Sequence, residues 1–201
     1  YGRQLDTPRP PASLTKLLSA LVVLDHPWDA DAPVQISDHA AGMTGARIGL
    51  RRGDVVRAGD LLTGMIVRSG NDACMAMAEH IGGSEEGFVR LMNQKAQAIG
   101  MTASTFRNPC GLDADGHLST ARDLLTLAPL DHALLTADAI RSSGLPLAGW
   151  IASRVDPQMR EPEANLAYLR QHLDAPLLAD TPWQAVPDAR AVQVQLPQEW
   201  Q

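Results

Sequence analysis

Apolar residues recur at three- and four-residue spacing from the start of the chain. Leu14, Leu17, Leu18, Leu21 and Val22 form one stripe that predicts a helix beginning near Ala12 and ending at Asp25-His26-Pro27. Residues 29–59 lose that period. Short alternating segments, Val34-Gln35-Ile36 and Arg47-Ile48-Gly49-Leu50, and the turn Arg52-Gly53-Asp54 predict short strands and loops. Helical spacing then returns. Asp60 is placed as the N-cap of a helix over Leu61–Val67 that stops at Ser69-Gly70, and Asn71 opens a further helix through Ala73, Met77 and Ile81. Ser84 has the position of a capping-box serine, with Gly87 where Glu is usual, ahead of a helix carrying Phe88, Leu91, Met92 and Ile99 and closed by Gly100.

Beyond Thr120 the pattern changes. Leu124–Ile140 is rich in helix formers and interrupted by Pro129, and the apolar run Leu147–Ala152 predicts a buried strand. Asp156-Pro157 turns the chain into a helix with Leu166, Leu169 and Leu173 on one face, and Ala175–Leu178 predicts another short strand. Strand, helix and strand in that order make a parallel α/β unit. From Pro182 onward the pattern assigns no element.

Composition narrows the possibilities. The 201 residues, 45% hydrophobic, suffice for one good core or two small ones. Seventeen basic against 23 acidic residues give a net charge of −6, which argues against nucleic acid or an anionic membrane as a partner held by charge. The apolar run Leu17–Leu24, broken by Ser19, is too short for a transmembrane segment, and the chain opens without a signal sequence. Cys74 and Cys110 lack the spacing of a metal or redox site and read as small buried residues that leave the compartment open.

Lysine occurs only at positions 16 and 95. Ser13-Leu14-Thr15-Lys16, at a helix start, sets a hydroxyl and an amine side by side one turn apart, where the helix N-terminus favours charge developing on the serine oxygen. A neutral lysine there could take the serine proton. The same spacing also arises by chance, as a first-turn serine beside a solvated lysine. Ser69-Gly70-Asn71, at a junction between helices, can present a hydroxyl and a carboxamide to a cleft, or can be a helix stop followed by an N-cap. His117, Arg122 and Asp123 read as an ion pair or cap that fixes a loop and a helix start, with direct catalysis as the alternative, and Asp72 as a helix N-terminal charge.

Pro11-Ala12-Ser13-Leu14-Thr15-Lys16, Arg68-Ser69-Gly70-Asn71-Asp72-Ala73, Phe106-Arg107-Asn108-Pro109-Cys110-Gly111-Leu112 and Leu118-Ser119-Thr120-Ala121-Arg122-Asp123-Leu124 together resemble successive blocks of the serine-type D-alanyl-D-alanine carboxypeptidases, the low-molecular-mass penicillin-binding proteins. The resemblance covers about residues 1–128. It implies Ser13 as the nucleophile that forms an acyl-enzyme with the peptidoglycan stem peptide or a β-lactam, Lys16 as base, Ser69 as catalytic hydroxyl, Asn71 as substrate-binding carboxamide, and an extracytoplasmic location. The family also needs a Lys-Thr-Gly box on an edge strand, and no lysine follows Lys95; Arg141-Ser142-Ser143-Gly144 has one residue too many. Turnover is therefore expected to be impaired.

Residues 130–183 resemble instead the carboxy-terminal part of dethiobiotin synthetase, on His132–Ala137, Gly144–Ala152, Arg154-Val155-Asp156-Pro157, Glu163-Ala164-Asn165-Leu166, Ala175-Pro176-Leu177-Leu178 and Pro182-Trp183, with that family's adenine-contacting asparagine falling at Ser153. ATP and Mg are implied only by this second resemblance, and the phosphate-binding G-x-x-x-x-G-K-[ST] is absent, so no cofactor is expected. A cytoplasmic location would follow from it. The fold class expected is mixed α+β: a mostly helical penicillin-binding-protein-like region at 1–128 with short strands, then a partial parallel α/β unit at 129–201, both parent folds incomplete. Three readings follow: an impaired carboxypeptidase, a ligase remnant, and a catalytically dead chimera joined near Ala128 to Leu130.

Overall fold

In the computed structural model, residues 4–154, 162–184 and 192–195 are described, and the chain divides into two compact units, Tyr1–Asp131 and His132–Gln201. The first unit is built on helices. A short 3-10 turn, Ala12–Leu14, leads into α1 (Thr15–Asp25), whose residues Leu18 and Ala20 to Val23 are almost wholly buried. After β1 (Pro33–Gln35), α2 (Asp38–Ala41) and β2 (Val55–Arg57) come α3 (Ala58–Val67), α4 (Asn71–Gly82) and α5 (Glu85–Ala98). Helix α4 is buried without a break from Asn71 to Ala78, and α1, α3 and α5 all pack on it. Strands β1 and β2 pair antiparallel, Val34 opposite Val56.

Local chemistry explains most boundaries. Ser84 caps α5, its Oγ accepting from the Gly87 amide at 3.0 Å. Glycine stands at 87 because a Cβ there would fall 2.1 Å from the Gly82 carbonyl oxygen. Asp60, expected as an N-cap, lies inside the first turn of α3 and pairs with Arg57. The helix starts earlier because the carbonyls of Ala32 and Ala30 already accept from the Ala58 and Gly59 amides. Arg47–Leu50, expected as a strand, is an irregular loop. The amides of Ile48, Gly49 and Leu50 donate to the Asp72 carboxylate rather than to a neighbouring strand.

Helix α6 (Ala121–Ser142) runs through Pro129, where a break was expected. Its buried stripe Leu127, Leu130, Leu134 and Ala137 continues across the proline, and burying it outweighs the ~3 kcal/mol that an interior proline costs. In the second unit, β3 (Trp150–Ser153) pairs parallel with β4 (Leu177–Thr181), and α7 (Pro162–His172) lies between them in sequence, burying Leu166. The expected buried strand is shorter and only half covered. Its residues alternate, Ile151 being 55% exposed, because one face of the pleat is left open. The turn expected at Asp156-Pro157 lies outside the described residues.

Candidate active site

The 3-10 turn ahead of α1 leaves Ser13 exposed at the helix mouth, while Lys16, one turn on, is 3% exposed. Helices α3 and α4 meet at Ser69-Gly70, where the amides of Arg68 and Gly70 both donate to the Gly64 carbonyl and wind the end of α3 tightly. Ser69 takes φ +53°, a left-handed conformation that costs a residue with a Cβ on the order of 1 kcal/mol. That turn carries the Ser69 hydroxyl to Ser13: its Oγ donates to Ser13 Oγ at 3.0 Å. Lys16 Nζ donates to Asn71 Oδ1 at 2.8 Å and to the Cys110 carbonyl at 2.7 Å. The four residues singled out in the sequence thus form two hydrogen-bonded pairs, Ser13 with Ser69 and Lys16 with Asn71.

Each partner is held from behind. Asn71 Nδ2 donates to the Thr44 carbonyl at 2.6 Å, so its oxygen must face Lys16, and the Asn71 amide donates to Ala46 at 2.7 Å. Asp72 is fully buried and accepts from the amides of Ile48, Gly49, Leu50 and Ala73, so it anchors the loop beside the site as well as charging the start of α4. Burial raises its pKa, and those four N–H donors more than reverse this, leaving it below the usual carboxylate value.

The Cys110 carbonyl is aimed by Asn108, whose Oδ1 accepts from the amides of Cys110, Gly111 and Leu112 at 3.2, 2.8 and 3.0 Å. This side-chain-to-backbone turn is the one signal in Asn108-Pro109-Cys110-Gly111 by which sequence could have found it. Gly111 has φ +79°, and a Cβ on it would lie 1.9 Å from the Ala12 carbonyl oxygen, next to Ser13. His117, 3% exposed, joins the two halves: Nε2 lies 3.0 Å from Thr15 Oγ1, and the Arg107 amide donates to Nδ1 at 3.1 Å. Arg122 pairs with Asp6, and Asp123 accepts from the Ala103 amide and the Ser104 hydroxyl.

Neither cysteine is poised for attack. Both are buried thiols, and desolvation, with the neighbouring Cys110 thiol, pushes Cys74 well above the ordinary thiol range. The Arg141–Gly144 segment ends α6, with the amides of Ser143 and Gly144 turned back on Ala139 and Arg141, so it offers no edge strand.

Comparison with known proteins agrees with this geometry. DacF of Bacillus subtilis strain 168, a D-alanyl-D-alanine carboxypeptidase, is 39% identical over 132 residues, covering 64% of this chain and 34% of that protein. DacC of Escherichia coli K12 is 41% identical over 129 residues, 58% of this chain and 32% of its own. The chain thus spans about a third of the length of these curated relatives. Among solved structures, the carboxypeptidase DacD of Francisella tularensis superposes with a TM-score of 0.61 at 41% identity, over 63% of this chain and 32% of that one. The D-alanyl-D-alanine carboxypeptidase of Mycobacterium tuberculosis H37Rv gives 0.61 at 34% identity, over 67% and 50%. The helix-rich mixed α/β architecture is that of penicillin-binding proteins. Because the sequence profile described as D-alanyl-D-alanine carboxypeptidase also matches residues 1–139, a span holding all the side chains that meet at Ser13, the chain belongs to the D-alanyl-D-alanine carboxypeptidase family.

Proposed function

We propose that Ser13 is the nucleophile of a serine acyl-transfer reaction on the D-alanyl-D-alanine end of a peptidoglycan stem peptide, and on β-lactams. One observation carries this reading: a buried lysine shares Asn71 and a backbone carbonyl as acceptors, while the neighbouring hydroxyls of Ser13 and Ser69 are hydrogen-bonded to each other. An uncharged Nζ has two hydrogens. Asn71 Oδ1 and the Cys110 carbonyl accept both, so the lone pair is what remains to take the hydroxyl proton.

Attack by Ser13 Oγ forms a bond to the carbonyl carbon and gives a tetrahedral oxyanion. Its collapse breaks the C–N bond, and the departing D-alanine amine takes the proton, relayed by Ser69. Asn71 lies on the wall where it can bind the substrate amide. Water then hydrolyses the ester and restores the Ser13 hydroxyl. With a β-lactam the C–N bond opened is that of the ring, and the leaving amine stays tethered. The chemistry uses side chains alone and needs no cofactor or metal. A stem-peptide substrate places the site outside the cytoplasm.

The 201 residues contain no Lys-Thr-Gly after Lys95. If these 201 residues are assayed by themselves, doing without an oxyanion donor from such a box costs roughly 10²–10³ in rate, so labelling by a strained β-lactam is the assay to use rather than peptide turnover. The decisive comparison is fluorescent penicillin labelling of wild type beside Ser13→Ala. Labelling that disappears with the hydroxyl is expected. A folded wild type that stays unlabelled would sink the proposal.

A second reading, that two family fragments are joined, rests on the sequence resemblance of residues 130–183 alone, and α6 runs unbroken across the boundary at Asp131 and His132. The residues there do not suit the ATP of a synthetase. Arg154, next to β3, gives its guanidinium to Asp180 and Glu163 rather than leaving it for phosphate, and no phosphate-binding loop exists in the sequence. Calorimetry separates the readings: two transitions support joined fragments, and one cooperative transition counts against them.

A further inference from the structure

His117 lies outside the reacting group, yet it touches both segments that the site must hold in register. One segment is the Ser13 to Lys16 turn, reached through Thr15 Oγ1; the other is the Arg107 to Leu112 loop, whose Cys110 carbonyl accepts from Lys16. Its tautomer follows from its neighbours. A backbone amide can only donate, so Nδ1 facing the Arg107 N–H must carry the lone pair, and Nε2 carries the hydrogen and donates to Thr15 Oγ1. Phe106 packs edge-on at 5.7 Å and blocks rotation of the ring to another arrangement.

We infer that His117 is a positioning residue for acylation, which works only while neutral, so that acylation falls as the ring is protonated. The inference rests on the acyl-transfer reading above. A proton on Nδ1 would point at the Arg107 N–H, donor against donor, and would force the loop away from α1. The Cys110 carbonyl would move with the loop. A displacement of about 1 Å at such a site costs about 10²-fold in rate. The environment also resists that proton. Burial lowers the imidazole pKa below its ordinary 6.5, the Arg107 charge adds to this, and Asp113 opposes it. From α1 the ring meets a hydroxyl, and from Asn108 a carboxamide 3.4 Å from Nδ1, so neither offers the cation a carboxylate.

Fluorescent penicillin acylation rates across pH 4.5–9, beside the nitrogen shifts of the His117 ring, test the inference in the full chain. In wild type the ring should be the Nε2–H tautomer, titrate below pH 6.5, and do so at the pH where acylation falls. His117→Gln, which can still reach Thr15 but does not titrate, should acylate about 10-fold more slowly on the plateau and lose the acid limb. Thr15→Val should lower the plateau similarly if the glutamine variant fails to fold. A ring found as Nδ1–H, a limb more than about one pH unit from the ring titration, a limb kept in His117→Gln, or a full plateau in Thr15→Val would each overturn the inference. Absence of wild-type labelling at every pH would instead sink the acyl-transfer reading and this one with it.

Discussion

Asp131 sits in the apolar stripe of α6, between Leu127, Leu130 and Leu134, at 1% exposure, and neither of its carboxylate oxygens has a hydrogen-bond partner among the described residues. Burial pushes its pKa from 3.8 up to about 8. The folded state therefore holds a proton that the unfolded chain releases between about pH 4 and pH 8, so stability is full below pH 3.8 and falls as pH rises toward 8. Roughly four pH units at about 1.4 kcal/mol each give a loss of about 6 kcal/mol. This is as large as the whole net stability of many domains. Asp131→Leu removes the titrating group and completes the stripe. Urea unfolding at pH 5, 6.5 and 8 should show wild type losing about 1.4 kcal/mol per pH unit relative to the leucine variant, with the gap widest at pH 8. Parallel pH curves for the two proteins would refute the argument, because they would mean that the carboxyl is solvated or paired in solution.

Two substitutions near the site extend the test. Gly111→Ala must accommodate a Cβ against the Ala12 carbonyl at positive φ, and should lower stability by roughly 3 kcal/mol in urea melts while abolishing penicillin labelling, since the turn that carries Ser13 has to move. Asp72→Asn replaces an acceptor of four amides by a group that can donate, with an expected cost of about 2–4 kcal/mol in the same melts. The Asp72 pKa is lowered on folding, so its contribution is present above the unfolded value of 3.8 and is lost as pH falls below it; the gap between wild type and the asparagine variant should close in melts taken toward pH 3.

The stripe of Leu18, Leu21 and Val22 and the two motifs were legible because each expresses a local rule: a helical period, a hydroxyl and an amine one turn apart, a glycine between two helices; Leu14, counted in the same stripe, is instead 50% exposed in the turn ahead of α1. The capping serine at 84 was legible for the same reason. What the sequence hid depends on segments far apart in the chain. Asp72 looks like a helix-start charge until the loop at 48–50, more than twenty residues earlier, delivers its amides to it. His117 looks like one more loop histidine until Thr15, 102 positions away, meets its ring. The Cys110 carbonyl has no signature beyond the turn that Asn108 forms. Its part in the site is set by where Asn108 folds the chain.

That hidden part explains how Ser13 and Lys16 are held in place. Every hydrogen bond that joins Ser13, Lys16, Ser69, Asn71, Asn108 and His117 to one another or to their supports lies within residues 13–117, all in the first unit. Positive φ at Ala12 and Ser69 tells the same story, since strained backbone at the two motif turns persists only if surrounding contacts over-determine it, and here those contacts are internal to that unit. Placement of Ser13 and Lys16 thus rests on the first unit. Two assays then answer two questions: penicillin labelling reads whether Ser13 and Lys16 are set against each other, and D-alanine release reads whether the stem peptide is held as well. Labelling without release would locate the defect in substrate holding and leave the acylating group intact.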